Sequence, residues 1–271
     1  MQVPLDHRAE ALDVEVGVFG GSGFYDFIDG AADIEISTPF GPTAAPIRVG
    51  TMAGRRVAFL ARHGRRHEFA AHRVPFRANV WALASLGVRS ILGPCSVGSL
   101  QPELNVGDFV VVDQLVDRTN GRADTFHDTG SRDDLPGSAG PVHHQPFADP
   151  YANSIRHVLI EAGRGIDGIT VHTSGTMVVI NGPRFSTRAE SQWFTAMGWN
   201  VVNMTSYPEA VLAAEAGIAY ATVALVTDRD AGEAGGTGDA EPVTMEAVMA
   251  VVAQNVDNVK QLIVAALPNL P

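Results

Sequence analysis

The sequence predicts a mixed α/β fold, a single domain over residues 1–271 with a mostly parallel central sheet flanked by helices. Three observations carry this. Short β-branched runs of buried-strand length recur along the chain, and helical patterns with their own start and stop signals lie between them. The 271 residues, 45% of them hydrophobic, suffice for a large core, and no Gly/Ser-rich or Pro-rich linker and no internal repeat divides them.

In chain order, the apolar runs at 14–19, 57–60, 90–92, 109–112, 177–180, 201–203 and 219–226 read as buried strands. The pattern over 79–86 reads as a helix stopped by Gly87, and that over 153–162 as one stopped by Gly163. Thr187 with Glu190, and Ser206 with Glu209, have the S/T-x-x-E spacing of a capping box, so helices are expected to begin just after Phe185 and just after Thr205. A last helix is expected over 243–266.

Composition removes several function classes. A formal net charge of -11 opposes binding to a nucleic-acid duplex or an anionic membrane, since either needs basic surface. No apolar run approaches the roughly 18 residues of a membrane span, and the mixed, charged start MQVPLDHRAEALD is not a secretory signal. A cytoplasmic location is expected. The lone cysteine, Cys95, leaves no internal disulfide or multi-thiolate zinc site and suits a reducing compartment.

In sheets of this class ligands collect outside the carboxyl ends of the strands. The segments expected there are GGSG, ARHGRRH, GPCSVGS, NGPRFS, NMTSYPE and VTDRDAGEAGG, all rich in groups that bind anions or polar bases. The GGSG loop admits three readings: a phosphate cradle of bare N–H groups, a dinucleotide turn, or a plain connection. Against the dinucleotide, the third glycine position of G-x-G-x-x-G is Asp26; a Walker loop fails because the only lysine is Lys260. Arg62 and His63, at a strand mouth, suit an oxyanion; the rival reading, His63 and His67 as a metal pair, sets Arg65 and Arg66 against a divalent cation. Cys95 fits no nucleophile motif and reads as packing, and Ser22 misses the G-x-S-x-G elbow because Phe24 sits where glycine belongs. Asp228 and Asp230 flank Arg229. They are either a cap with an ion pair to Arg229 or two carboxyl groups facing an amino group and a ring nitrogen.

Taken together, GGSG, TPFG, ARHGRRH, GSL, GDFVVVDQLVDRT, GPRFSTRAE, NMTSYPEAVLAAEAGI and VTDRD run in order from Gly17 to the final helix, and this set resembles the trimeric branch of the purine nucleoside and methylthioadenosine phosphorylase family. The resemblance implies that Ser22, Arg62, His63 and Thr205 hold phosphate, with the Cys95–Ser96 loop completing the cradle. Cys95 stands where family members often have Thr, so Ser96 or backbone N–H groups would supply that contact. It implies further that Met204 lies against the ribose and that Phe185 stacks on the purine. Asp228 and Asp230 mark the 6-aminopurine enzymes, and Ser186 stands where the 6-oxopurine enzymes have Glu. His144 would reach a neighbouring subunit's site, with Met245 and Val248 forming an apolar wall. Asp228 is the expected proton donor to the departing base. The implied reaction is phosphorolysis of methylthioadenosine to adenine and 5-methylthioribose 1-phosphate, with phosphate as co-substrate, no cofactor and no metal, in a homotrimer or a multiple of it. Alternatives are a phosphorylase of adenosine or 6-oxopurine nucleosides and a non-catalytic nucleoside-binding module.

Overall fold

The structure, a computed structural model, describes residues 13–24, 28, 30–127, 143–232 and 242–271. Its first half runs β1 (Val16–Gly20), β2 (Ala32–Ile34), β3 (Ile47–Met52), β4 (Arg55–Ala61), α1 (Phe76–Ser85), β5 (Ser90–Leu92), β6 (Cys95–Ser99), β7 (Phe109–Val111) and β8 (Gln114–Arg118). The second half runs α2 (Asn153–Arg164), β9 (Val171–His172), β10 (Thr176–Ile180), α3 (Arg188–Ala196), β11 (Val201–Asn203), α4 (Ser206–Glu215), β12 (Ala219–Ala221), β13 (Val223–Arg229) and α5 (Met245–Ala266).

The expected mixed α/β architecture is present, and its strands hydrogen-bond as two sheets, β12-β5-β1-β4-β3-β2 and β8-β10-β11-β6-β13-β7-β9. Central strands read as unbroken apolar runs because both faces are covered: all of β1 and the last five residues of β4 are buried. The run at 219–226, expected as one strand, divides at Thr222 into β12 of the first sheet and β13 of the second. The chain crosses between the same sheets from β5 to β6. Thr222 ties the two crossings together, its hydroxyl donating to the Gly93 carbonyl.

Helix ends follow their local chemistry in part. Thr187 and Glu190 form the expected capping box at the start of α3. Helix α1 stops before Gly87, whose φ of 92° suits glycine. Helix α2 continues through Gly163, expected as its stop, to Arg164. Helix α5 buries Val248, Val252, Val259, Leu262 and Ile263 against β13 and α2, which puts its first turn over the mouth of β13. Among the described residues, no helix is long and apolar enough to cross a membrane.

Candidate active site

A cavity of about 410 Å³ opens where the chain passes between the sheets. Strand register assembles it. Parallel pairing of β1 with β4 aligns Gly20 with Ala61, and Arg62 N donates to Gly20 O at 2.9 Å, so Gly21 and Ser22 meet Arg62 and His63. Parallel pairing of β6 with β13 aligns Cys95 with Ala224 and Gly98 with Asp228. Strand β6 therefore runs as a floor from the turns that carry Ser22, Arg62 and His63 to the paired carboxyl groups, three residues or about 10 Å. The walls are the turn after β11, with Met204 and Thr205, the segment after β10, with Pro183 and Phe185, and Met245 and Val248 of α5.

At one end Arg62 is 1% exposed and Glu209 is fully buried. Arg62 Nε and Nη2 both donate to the Glu209 carboxylate, the second at 2.9 Å, and Nη1 donates to Pro94 O at 3.2 Å. Burial alone would lower the guanidinium's pKa, but the charge and the hydrogen bonds of Glu209, with smaller contributions from Tyr220 and Cys95, together outweigh it and leave the group raised. This pairing replaces the capping box expected from Ser206 and Glu209. A carboxylate removed from water goes to the nearby buried cation, and Asn203 Oδ1 accepts from the N–H groups of Thr205 (2.7 Å) and Ser206 (2.8 Å) instead. Asn203 Nδ2 also donates to Ser96 O at 3.1 Å, fixing the two anion-binding turns to each other.

His63 Nδ1 lies 2.8 Å from Phe69 O, which can only accept, so Nδ1 carries the proton and the neutral ring keeps Nε2 as an acceptor. Burial and the Arg62 charge pull His63 down to about 4, so it is neutral near pH 7. His67 stacks on it, ring centroids 4.4 Å apart and planes 10° apart, and also lines the cavity. Burial pushes the Cys95 thiol up to about 11, against a weaker opposing contact with the Thr222 hydroxyl at 3.5 Å; this agrees with packing rather than nucleophilic use.

At the other end Asp228 and Asp230 both line the cavity, although β13 ends between them and a register shift precedes Asp228. Arg229 turns away and donates to Asn105 Oδ1 at 3.1 Å, so it does not pair with the flanking carboxyl groups. Burial raises the pKa of both. Thr227 Oγ1, 2.9 Å from Asp228 Oδ2, opposes the rise at Asp228, whereas Asp230 is pushed up to about 6. Asp230 Oδ2 and Ser186 Oγ are buried with no hydrogen bond of good geometry, although Ser186 lies near enough to moderate the Asp230 shift. Gly98 makes room for the pair, since a Cβ there would sit 2.8 Å from Asp228 Oδ1 and 3.0 Å from Asp230 Cβ.

The structure thus brings Ser22, Arg62, His63, Cys95, Ser96, Phe185, Met204, Thr205, Asp228, Asp230, Met245 and Val248 to one cavity. Ser186 sits behind Asp230 rather than on the cavity wall. His144 is exposed and away from this chain's cavity. Sequence reasoning missed Glu209, Thr227, Asn203 and Arg122. Arg122 donates to the carbonyls of Asn181 (3.0 Å), Met204 (2.8 Å) and Tyr207, joining the segments after β10 and β11. For Glu209 a signal existed: it precedes buried Leu212 and Ala213 by three and four residues, on the apolar face of α4, where a carboxylate requires a cation.

Known proteins share this chain's sequence and fold. Residues 15–268 match the Phosphorylase superfamily. The S-methyl-5'-thioadenosine phosphorylase of Mycobacterium tuberculosis is 51% identical over 253 residues, 93% of this chain and 88% of the relative. The purine nucleoside phosphorylase of Streptomyces coelicolor is 46% identical, over 97% of this chain and 91% of its own. The methylthioadenosine phosphorylase of Schistosoma mansoni in complex with adenine superposes with a TM-score of 0.86 at 39% identity, covering 94% of this chain and 91% of that one. With the motifs in order, the shared fold and matches over nearly the whole length, the chain belongs to the purine nucleoside and methylthioadenosine phosphorylase family of the phosphorylase superfamily.

Proposed function

We propose that this protein cleaves the N-glycosidic bond of S-methyl-5'-thioadenosine with phosphate, releasing adenine and 5-methylthioribose 1-phosphate. The observation that carries the reading is the floor strand β6, with Arg62, His63 and Ser96 near its start and two carboxyl groups, half-buried Asp228 and buried Asp230, opposite its end. Relatives that match 93% of this chain over 88% and 90% of their own lengths carry the methylthioadenosine phosphorylase name. Phosphate is the co-substrate, and the chemistry calls on no cofactor.

Cleavage builds positive charge on the anomeric carbon and negative charge on the leaving purine, so both must be stabilised. Ser22, Arg62, His63, Thr205 and the Cys95–Ser96 turn hold the phosphate beneath the sugar. Met204 lies against the ribose, Phe185 against the base, and Met245 and Val248 against the 5' substituent. Asp228 and Asp230 accept from the 6-amino group, and one of them gives a proton to the ring nitrogen as the bond breaks. Asp228 is the expected donor. Asp230 rivals it, because its pKa of about 6 keeps a proton available closer to neutrality and its Oδ2 has no other hydrogen-bond partner.

The test follows adenine release from methylthioadenosine with and without phosphate. Release that needs phosphate, saturates with it and yields the sugar 1-phosphate supports the reading. Equal release in both buffers with free sugar makes the protein a hydrolase; tight binding without release makes it a nucleoside-binding module. A protein from Schistosoma mansoni described as an adenosine/methylthioadenosine phosphorylase favours measuring adenosine alongside. The working unit is a homotrimer or a multiple of it, in the cytoplasm, with exposed His144 of each chain entering a neighbour's site. Light scattering and recovery of activity in oligomers mixed from two differently inactivated chains test that assembly.

A further inference from the structure

The proposed phosphate cradle is built from loops, yet a fully buried carboxylate lies behind them. Glu209 has no exposed surface and reaches the cavity only through Arg62. A guanidinium has five N–H donors; Nε, one on Nη1 and one on Nη2 are already bound, which leaves two. Arg62 lines the cavity, so those two are the ones an anion can reach. Glu209 is itself held: Tyr220 donates to its Oε2 at 2.9 Å, and Tyr220 stacks on Tyr151, ring centroids 6.1 Å apart. Gly93 leaves the space, because a Cβ at that position would collide with the Tyr220 hydroxyl. The arrangement is a line of fixed groups, Gly93 to Tyr220 to Glu209 to Arg62, that starts at a sheet crossing and ends at the cradle.

We propose that Glu209, supported by Tyr220, is a positioning residue for phosphate. It grips one edge of the Arg62 guanidinium and aims the other at the anion. The inference rests on the reading of the cradle as the phosphate site. Charge alone would argue the opposite, since a carboxylate beside the cradle repels phosphate and weakens the attraction of Arg62. Orientation and charge are therefore separable, because the two accounts predict opposite signs. Under positioning, Glu209→Gln loses one acceptor, turns an N–H group against the guanidinium and frees Arg62 to turn, so phosphate binds worse. Under simple charge compensation, the same change leaves Arg62 unmatched and phosphate binds better.

The experiment measures KM for phosphate and for methylthioadenosine separately, with calorimetric Kd for inorganic phosphate where turnover is too slow. Glu209→Gln is expected to raise the phosphate constant at least about tenfold while moving the nucleoside constant less than about twofold, since the lost contact acts on the nucleophile. Tyr220→Phe removes one hydroxyl and is expected to raise the phosphate constant by about two- to fivefold, in keeping with a single supporting hydrogen bond. In an Arg62→Ala background, adding Glu209→Gln is expected to change the phosphate constant no further, which a general structural role would not produce. An unchanged or tighter phosphate constant in folded Glu209→Gln overturns the proposal, as does a further loss on top of Arg62→Ala. Should Glu209→Gln fail to fold, an unchanged phosphate constant in Tyr220→Phe overturns it. If Arg62→Ala itself leaves phosphate binding intact, the reading of the cradle fails rather than the role of Glu209.

Discussion

The two ends of the cavity are held by different means. At the proposed phosphate end, buried side chains are already held: Arg62 by the Glu209 carboxylate, Asn203 by the Ser96 carbonyl and the Thr205 amide, and His63 by the Phe69 carbonyl. At the nucleoside end, Asp230 Oδ2 and Ser186 Oγ have no such partners, and Met245, at the far wall, is 40% exposed. An anion of fixed shape rewards a site arranged in advance, whereas a base with its own donors and acceptors can supply the partner that Asp230 Oδ2 lacks. Substitutions at the first end are therefore expected to damage stability and turnover together. At the second they are expected to alter which substrate is used.

The largest effect is expected at Arg62→Ala. It removes a proposed phosphate contact and strands the Glu209 carboxylate, so thermal unfolding should show a loss of about 3–5 kcal/mol, and kcat/KM for phosphate should fall by about a hundredfold or more. Equal stability with lost activity would break the coupling between burial and catalysis. Next, Asp228→Asn is expected to cost adenine nucleosides about 2–4 kcal/mol of transition-state binding while improving relative use of inosine, because an amide can donate to O6. The ratio of the two kcat/KM values checks it, and an unchanged ratio would remove Asp228 from base recognition.

A third prediction concerns pH. Asp230 rises from the ordinary 3.8 to about 6, so folding favours its protonated form. Its contribution to stability is complete below about 3.8 and is lost as pH climbs through 6, by up to about 3 kcal/mol. Denaturant unfolding between pH 4 and 7 should show that slope in the parent and lose it in Asp230→Asn. The base end also sharpens the identity of the proton donor: if Asp230 serves, adenine release declines above pH 6, and the Asn variant removes the decline along with most of the rate. The smallest effect is expected at Met245→Ser, which should shift preference from methylthioadenosine toward adenosine by about 1 kcal/mol, measured as paired kcat/KM values.

What could be read from the sequence follows the same division. Strand cores and loop chemistry were legible, since apolar runs such as 16–20 and 177–180 and the motifs at their ends are local signals. Strand β6 was not, because Cys95 to Ser99 combines glycine and serine and takes its strand form from pairing with β13 and β11. Glu209 was read as a cap; its place on the apolar face of α4 signals a need for some cation, but the one that meets it is 147 residues away in the chain. Pairs that distant leave no spacing to detect. The approach of Asp228 to Asp230 likewise depends on a register shift in β13 rather than on strand alternation.

The burial of Cys95 has a practical consequence. With its thiol pushed up to about 11 by burial, Cys95 stays protonated at pH 7 and shows little of its surface to solvent. The chain's sole native sulfhydryl is thus a spectator toward maleimides and iodoacetamides. A cysteine placed on the exposed face of α5 or beside His144 can be labelled with a fluorophore or spin probe in the otherwise unaltered protein. Distances between such labels would then report how the copies sit around one another, with no need to delete a residue from the cavity wall.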